Sequence, residues 1–332
     1  SQGIDLGDYT TRQSAADLDF VRQALGAKRV DLLGTSYGTW LALEMMRDYG
    51  SKVRSAVLNS PVPPQTDLLG GQIVAFQDSL NEVYKGCAAD AQCNAAYPHL
   101  ETTLTALVKK LNAKPLSVTY KDPTTGKDAT GDVDGTTIMS LIYQLVFIGP
   151  FVPYVAPLIG TVASGDDSFL SQLVPLLVSS NEGISNGLYY AVMCQDEVPF
   201  TSVTAIKAQA KKAKVSQDVI DEGLSSSEGT IDVCKDWDLK ASPDVENTAV
   251  TSSIPTLIVT GKFDPITPTS YGKLLETTLS NATLITSPVA GHDPASTTGT
   301  CGVGIIHRFL NEPADKLDTS CLKDLSLDFS PQ

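Results

Sequence analysis

The stretch from Arg29 to Leu58 constrains this chain more than any other. Arg29-Val30-Asp31-Leu32-Leu33 favours a short strand, Gly34-Thr35-Ser36-Tyr37-Gly38 has the Gly-x-Ser-x-Gly pattern, Thr39 to Tyr49 has helical character, and Val53 to Leu58 is a second apolar run. Strand, tight turn, helix and strand form the unit of a parallel sheet, because parallel neighbours need a crossover between them. Small residues two before and two after the serine let the chain turn sharply there, which lifts the Ser36 hydroxyl above the sheet as a nucleophile. The pattern recurs in Gly183-Ile184-Ser185-Asn186-Gly187, but that copy follows the polar Ser179-Ser180-Asn181-Glu182 and reads as a loop or helix start. Context singles out Ser36.

A serine nucleophile needs a histidine base and an acid to orient it, and on a parallel sheet these belong in loops at the strands' carboxyl ends. The apolar run Ile254 to Thr260 is followed by Gly261-Lys262-Phe263-Asp264-Pro265, and the strand-like Ala282 to Thr286 by Ala290-Gly291-His292-Asp293. Ser36, Asp264 and His292 therefore form the expected catalytic triad, in the chain order Ser, Asp, His. His99 and His307, the other histidines, read as a helix-start residue and a solvated helix face.

These motifs lie at the two ends of a 332-residue chain with 42% hydrophobic and 19% charged residues, enough for one large core with an accessory domain. Residues 1–60 and 253–332 are expected to build a partial sheet core, and 61–252 a mainly helical lid. In the head, Leu18, Val21 and Leu25 share one face of a helix ending at Gly26. In the middle, Leu100, Leu104, Leu107 and Leu111 form a helical stripe, Pro115 to Gly135 a hairpin, and Gly223 to Gly229 a Ser-rich loop. In the tail, Tyr271 to Leu279 and Gly302 to Leu310 read as helices. The richest apolar stretch, Ile138 to Ile159, is interrupted by prolines and polar residues, so no membrane span is expected. A net charge of −14 argues against nucleic acid or an anionic membrane as partner. The six cysteines fall into local pairs, Cys87 with Cys93, Cys194 with Cys234 and Cys301 with Cys321. Without metal-type spacing, and with three histidines in all, disulfides are a better reading than a zinc site. They point to a secreted or otherwise extracytoplasmic protein, periplasmic or at the cell surface.

The chain resembles the proline iminopeptidase and tripeptidyl aminopeptidase group of α/β-hydrolases. The resemblance is carried by Tyr9-Thr10-Thr11 with Ala16-Asp17-Leu18, by Leu33-Gly34-Thr35-Ser36-Tyr37-Gly38-Thr39, by Gly261-Lys262-Phe263-Asp264-Pro265-Ile266-Thr267-Pro268, and by Ala290-Gly291-His292 followed by Cys301 and Cys321. Gly86-Cys87 to Cys93, Tyr97-Pro98 and Val192-Met193-Cys194-Gln195-Asp196-Glu197 resemble parts of that family's helical lid. The resemblance implies an α/β-hydrolase fold and an acyl-enzyme on Ser36, with peptide or small acyl substrates and no metal or other cofactor. It also implies an oxyanion hole that uses the Tyr37 N–H, and Asp196 or Glu197 as holder of a substrate α-ammonium, which would make the enzyme an exopeptidase. A carboxylesterase with the same triad is the alternative, and an inactive binding module is the alternative from another class.

One departure stands out. Members of the family begin with several strands and a His-Gly-Gly-Pro-Gly type loop that completes the oxyanion hole, and nothing like it precedes Tyr9. A companion N-terminal segment is therefore expected to supply the missing strands and the second donor.

Overall fold

The computed structural model describes residues 3–179 and 184–330. The head comprises α1 (Thr11–Ala24), β1 (Val30–Thr35), α2 (Tyr37–Asp48) and β2 (Val53–Asn59). Next come α3 (Leu68–Ala89), α4 (Ala91–Ala96), α5 (Leu100–Ala113), the hairpin β3 (Leu116–Lys121) and β4 (Asp128–Val133), α6 (Gly135–Ile148), α7 (Val155–Ser164), α8 (Leu170–Ser179), α9 (Asn186–Val192), α10 (Val203–Lys212) and α11 (Gln217–Trp237). The tail returns with β5 (Thr256–Gly261), α12 (Thr269–Glu276), β6 (Ala282–Ser287), α13 (Pro294–Thr297) and α14 (Gly299–Asn311).

Four strands pair in the order β1-β2-β5-β6, all parallel, with Leu33 opposite Val57, Leu58 opposite Ile258 and Ile258 opposite Leu284. β2 and β5 are buried along nearly their whole length because both sheet faces are covered. On one face Ala56, Leu58 and Ile258 pack with Leu43 of α2 and Leu275 of α12. On the other, Val57, Leu257 and Val259 pack with Ile305, Ile306 and Phe309 of α14. The hairpin forms a separate two-stranded antiparallel sheet. The helices between β2 and β5 enclose their own core, in which the Leu100, Leu104, Leu107 and Leu111 stripe of α5 meets Ile138, Leu141, Ile142 and Leu145 of α6. Disulfides join Cys87 to Cys93, Cys194 to Cys234 and Cys301 to Cys321. No helix among the described residues is long and apolar enough to cross a membrane.

Two expectations about local structure are corrected. Gly223 to Gly229 is part of α11 and not a loop; within it the Ser227 hydroxyl donates to the Gly223 carbonyl, and just beyond it the Thr230 hydroxyl donates to the Ser226 carbonyl. A Cβ at Gly223 would lie 2.6 Å from Ile73, so glycine there lets α11 approach α3 closely. The inward face of α1 carries Thr11, Ala15 and Asp19, one helical turn apart, while Leu18, Val21 and Leu25 point outward and Phe20 is 71% exposed. Leu33 of the neighbouring edge strand β1 is 57% exposed.

The far end of α2 is fixed by a buried ionic cluster. The Arg47 guanidinium donates to Glu44 and Glu246, and both carboxyl groups are almost completely enclosed. The Oε1 atoms of both acids lack a protein donor, a cost that disappears if Glu44 carries a proton shared with Glu246. Burial and the neighbouring Glu246 carboxylate push Glu44 up to about 9 from its ordinary 4.5. A carboxyl that is neutral in the fold but ionised in the unfolded chain gives stability that is full below 4.5 and is lost as pH rises toward about 9. Melting temperature is expected to fall across that interval, and Glu44→Gln to flatten the decline. Calorimetric melts of both proteins at several pH values test this, and parallel curves would rule out a protonated Glu44.

Candidate active site

Ser36 stands alone between β1 and α2, with φ 57° and ψ −124°, a conformation that costs a non-glycine residue about 1–3 kcal/mol. It is held from both sides. Its N–H donates to the Asn59 carbonyl at 3.0 Å, and its carbonyl accepts the Thr39 hydroxyl at 2.6 Å, while Thr39 in turn accepts the Val62 N–H at 2.8 Å. The turn requires Gly34, where a Cβ would fall 2.2 Å from the Gly38 carbonyl oxygen, whereas a Cβ at Gly38 would meet nothing within 4 Å. Tyr37 opens α2, so its N–H belongs to the helix N-terminus, and its phenol bonds the Thr11 hydroxyl at 3.1 Å.

Asp264 and His292 come together from the loops after β5 and β6. His292 Nδ1 lies 2.9 Å from Asp264 Oδ2 and 3.1 Å from Oδ1. The carboxylate also accepts the Ser60 and Thr267 hydroxyls at 2.8 and 2.7 Å, and the Ile266 and Thr267 N–H groups at 2.9 Å each. Burial opposes its charge, but His292 and the Thr267 donors together hold Asp264 below the ordinary carboxylate range. His292 is 7% exposed, its ring stacks on Phe147 of α6 with centroids 5.0 Å apart, and its backbone N–H donates to the Phe147 carbonyl at 2.8 Å. A Cβ at the preceding Gly291 would stand 2.0 Å from the Val146 carbonyl, so only glycine allows this approach to α6.

Ser36 and His292 share the wall of one cavity of about 470 Å³. Its lining is mostly apolar, with Trp40, Phe147, Leu188 and Ile266 around the two polar groups. The helices between β2 and β5 form much of it, through Leu68 and Gln72 of α3, Phe147 of α6 and Leu188 to Val192 of α9. Ser185 also lines it and caps α9 by accepting the Leu188 N–H. The rest of that second Gly-x-Ser-x-Gly copy is not an elbow, and its Gly183 falls outside the described residues.

Asp196 and Glu197 are placed otherwise than expected for holders of a substrate amine. Both are buried and neither lines the cavity. Asp196 accepts the Thr11 N–H at 2.7 Å and, on its other oxygen, the Ser242 hydroxyl, so it pins the start of α1. Glu197 accepts the Leu68 N–H at 2.7 Å at the start of α3, and burial pushes it up to about 8. Acids that follow a lid cysteine look available in sequence, and only the fold shows that backbone groups have claimed them. His99 precedes α5 and His307 lies exposed on α14, both far from this chemistry in role. Among the described residues no cluster of His, Cys, Asp and Glu is arranged to hold a metal.

The arrangement has counterparts in known proteins. A family model described as alpha/beta hydrolase fold matches residues 1–139, and one described as TAP-like protein matches residues 223–321. The chain belongs to the α/β-hydrolase superfamily. Among its relatives, the serine protease Hip1 of Mycobacterium tuberculosis is 24% identical over 275 residues, covering 80% of this chain and 53% of that protein. The tripeptidyl aminopeptidase of Streptomyces lividans is 40% identical over 76 residues, 23% of this chain and 14% of the relative. This α/β-hydrolase thus spans about half the length of the Hip1 relatives it matches. Among solved structures, an alpha/beta hydrolase enzyme from a Medee basin deep-sea metagenome library superposes with a TM-score of 0.40 at 13% identity, covering 94% of this chain and 74% of that one.

Within this α/β-hydrolase, Ser60 is the residue that sequence reasoning missed. It is fully buried with φ 53°, donates its hydroxyl to Asp264 and accepts the Asp293 N–H at 3.1 Å, so one side chain joins the three strand-end loops. A lone serine after a strand carries no sequence signal for this. Ser60→Ala strips a donor from a buried carboxylate and leaves the Asp293 N–H unpaired, a loss of about 1.5–3 kcal/mol in folding stability. Urea unfolding at unchanged m-value measures it, and a change below about 0.5 kcal/mol would show that Ser60 does not support the pair.

Proposed function

We propose that the protein is a serine peptidase in which Ser36 is the nucleophile, His292 the general base and Asp264 the group that orients and charges-balances the imidazole. The observation that carries this reading is the Asp264–His292 contact on a cavity whose wall also holds Ser36 at a strained elbow. Nδ1 of His292 faces Asp264, so the proton of that nitrogen is held by the carboxylate and Nε2 remains for the Ser36 hydroxyl. Ser36 attacks the acyl carbon as His292 takes its proton. The base then gives that proton to the leaving amine, and water hydrolyses the acyl-enzyme by the same relay. The Tyr37 N–H, at the positive end of α2, supplies one oxyanion donor.

Residues 61–252 act as a lid in this reading. Helices α3, α6 and α9 over the elbow favour short peptides or chain ends, which supports an exopeptidase releasing N-terminal residues or short peptides. The serine protease and tripeptidyl aminopeptidase relatives support peptide over ester substrates. Three disulfides support a secreted or extracytoplasmic location. The outer edge of β1, flanked by exposed Leu33, Phe20 and Leu25, supports pairing with a companion strand from an N-terminal portion of a longer polypeptide, as the length of the Hip1 relatives also suggests. That portion would bring the second oxyanion donor.

Ser36→Ala is expected to lower kcat on peptide anilides by roughly 10³-fold or more with the fold retained. A fluorophosphonate should label Ser36, and mass spectrometry placing the adduct on Ser185 would refute the assignment. Joining the chain to its companion should raise kcat about 10²- to 10³-fold over the chain alone. If residues 1–332 alone prove monomeric and as active as the joined protein, no companion is needed.

A further inference from the structure

Asn59 ends β2 beside the nucleophile, opposite Thr35 in the strand register. It is fully buried, and its backbone carbonyl accepts the Ser36 N–H at 3.0 Å. Its side chain reaches into the loop that carries His292. The amide nitrogen donates to the Asp293 carboxylate and, at 3.0 Å, to the Thr35 hydroxyl, while the amide oxygen accepts the Ala295 N–H at 3.0 Å. One orientation of the amide fits these partners, since a backbone N–H cannot accept and a carboxylate cannot donate. Asp293 directly follows His292 and has φ 58°, in the left-handed region that is uncommon for a residue with a side chain. Three neighbours hold it there: Asn59 on one carboxylate oxygen, the Ser296 hydroxyl on the other, and Ser60, whose hydroxyl accepts the Asp293 N–H at 3.1 Å.

We propose that Asn59 and Asp293 act as a latch that sets the distance between Ser36 and His292, with Asn59 as a positioning residue for the reaction. The inference rests on the reading of Ser36 as nucleophile and His292 as base. Neither latch residue lines the cavity. Each acts through a neighbour, Asn59 through its carbonyl on the Ser36 N–H and Asp293 through its peptide bond to His292. Asp264 and its donors hold the imidazole at Nδ1, whereas the Asn59 contacts bridge the nucleophile's elbow to the histidine loop. Such bridging matters because a misplacement of about 1 Å between reacting groups can cost roughly 10²-fold in rate. The latch needs a donor at position 59 and an acceptor at 293. Asn59→Asp keeps the shape and removes the N–H, so two carboxylates would face each other and drive the loop off the elbow. With Asn59→Asp and Asp293→Asn together, donor and acceptor change places. The carboxylate at 59 can still accept the Ala295 N–H and the Thr35 hydroxyl, and the amide oxygen at 293 can still accept the Ser296 hydroxyl.

The test is this exchange. The rate at which a fluorophosphonate labels Ser36 reports activation of the nucleophile whatever leaving group the enzyme prefers. Asn59→Asp should be labelled about tenfold to a hundredfold more slowly than the unmodified protein, and the double variant Asn59→Asp, Asp293→Asn should recover to within about threefold. On peptide anilides the same pattern should appear in kcat, with KM held within about twofold. A residue that only supports the fold would lower the melting temperature without this split. Labelling of Asn59→Asp within about twofold of the unmodified rate, measured well below its melting temperature, therefore overturns the proposal, and so does a double variant as slow as the single one. Labelling that follows the expected pattern while no anilide is cleaved counts against the peptidase reading and supports the latch. Crystal structures of the three proteins decide independently of turnover. The distance from Ser36 Oγ to His292 Nε2 should widen by more than about 0.5 Å in Asn59→Asp and return in the double variant, and an unchanged distance refutes the latch. If the unmodified protein neither labels nor cleaves, the catalytic reading fails and this distance still decides. Should Asn59→Asp fail to fold by circular dichroism, Asp293→Ala takes its place. It removes the acceptor, so slowed labelling supports the latch and a rate within about twofold of the unmodified protein overturns it.

Discussion

A buried charge organises one end of the sheet. Asp264 is 3% exposed, and an unpaired carboxylate in that position would be prohibitively costly. It is tolerated because donors from three strand-end loops converge on it: Ser60 after β2, Ile266 and Thr267 after β5, and His292 after β6. Each loop is in turn fixed by the others. Asn59 donates its side-chain amide to Asp293 and to Thr35 at the end of β1, and accepts the Ala295 N–H, so the first strand is tied to the same cluster. Disturbing any member therefore disturbs the histidine.

Much of this was legible in the sequence because it is local. The strand–elbow–helix of Ser36 and the Asp264 and His292 loops occupy short apolar runs with turn residues at their ends, and the structure places β1, β2, β5 and β6 within two residues of those runs. The stripe on α5 was equally plain, since leucines spaced three and four apart leave few other readings. What escaped was decided by contacts between distant segments. The Ser-rich 223–229 segment has poor intrinsic helix propensity, yet it is helical within a longer helix whose Gly223 packs closely on Ile73. Glu222 lies next to that segment, so taking the segment as a loop also hid an acid that lines a second cavity, of about 310 Å³.

The opposite error concerns Asp196 and Glu197. Two adjacent acids beside a cysteine look solvent-facing, because isolated acids are seldom buried. Here each replaces a missing backbone partner, at Thr11 for Asp196 and at Leu68 for Glu197, which are the first residues of α1 and α3. Helix starts have free N–H groups and a positive dipole end, so burying a carboxylate against them is less costly than elsewhere. Fold building and substrate binding compete for the same acids, and the sequence does not show which has won.

Helix α6 links the substrate's space to the chemistry. Its last turn supplies Phe147, whose ring supports the His292 imidazole and whose carbonyl holds the His292 N–H. One turn earlier, Tyr143 faces the cavity of Glu222. A group entering that cavity would press on the same helix that holds His292. Displacement of α6 would therefore shift His292, since Gly291 leaves no slack against the Val146 carbonyl. Under the proposed serine-peptidase mechanism, substrate selection would then be expressed in the rate of acylation as much as in affinity, because residues that line the pocket and residues that hold His292 belong to one helix.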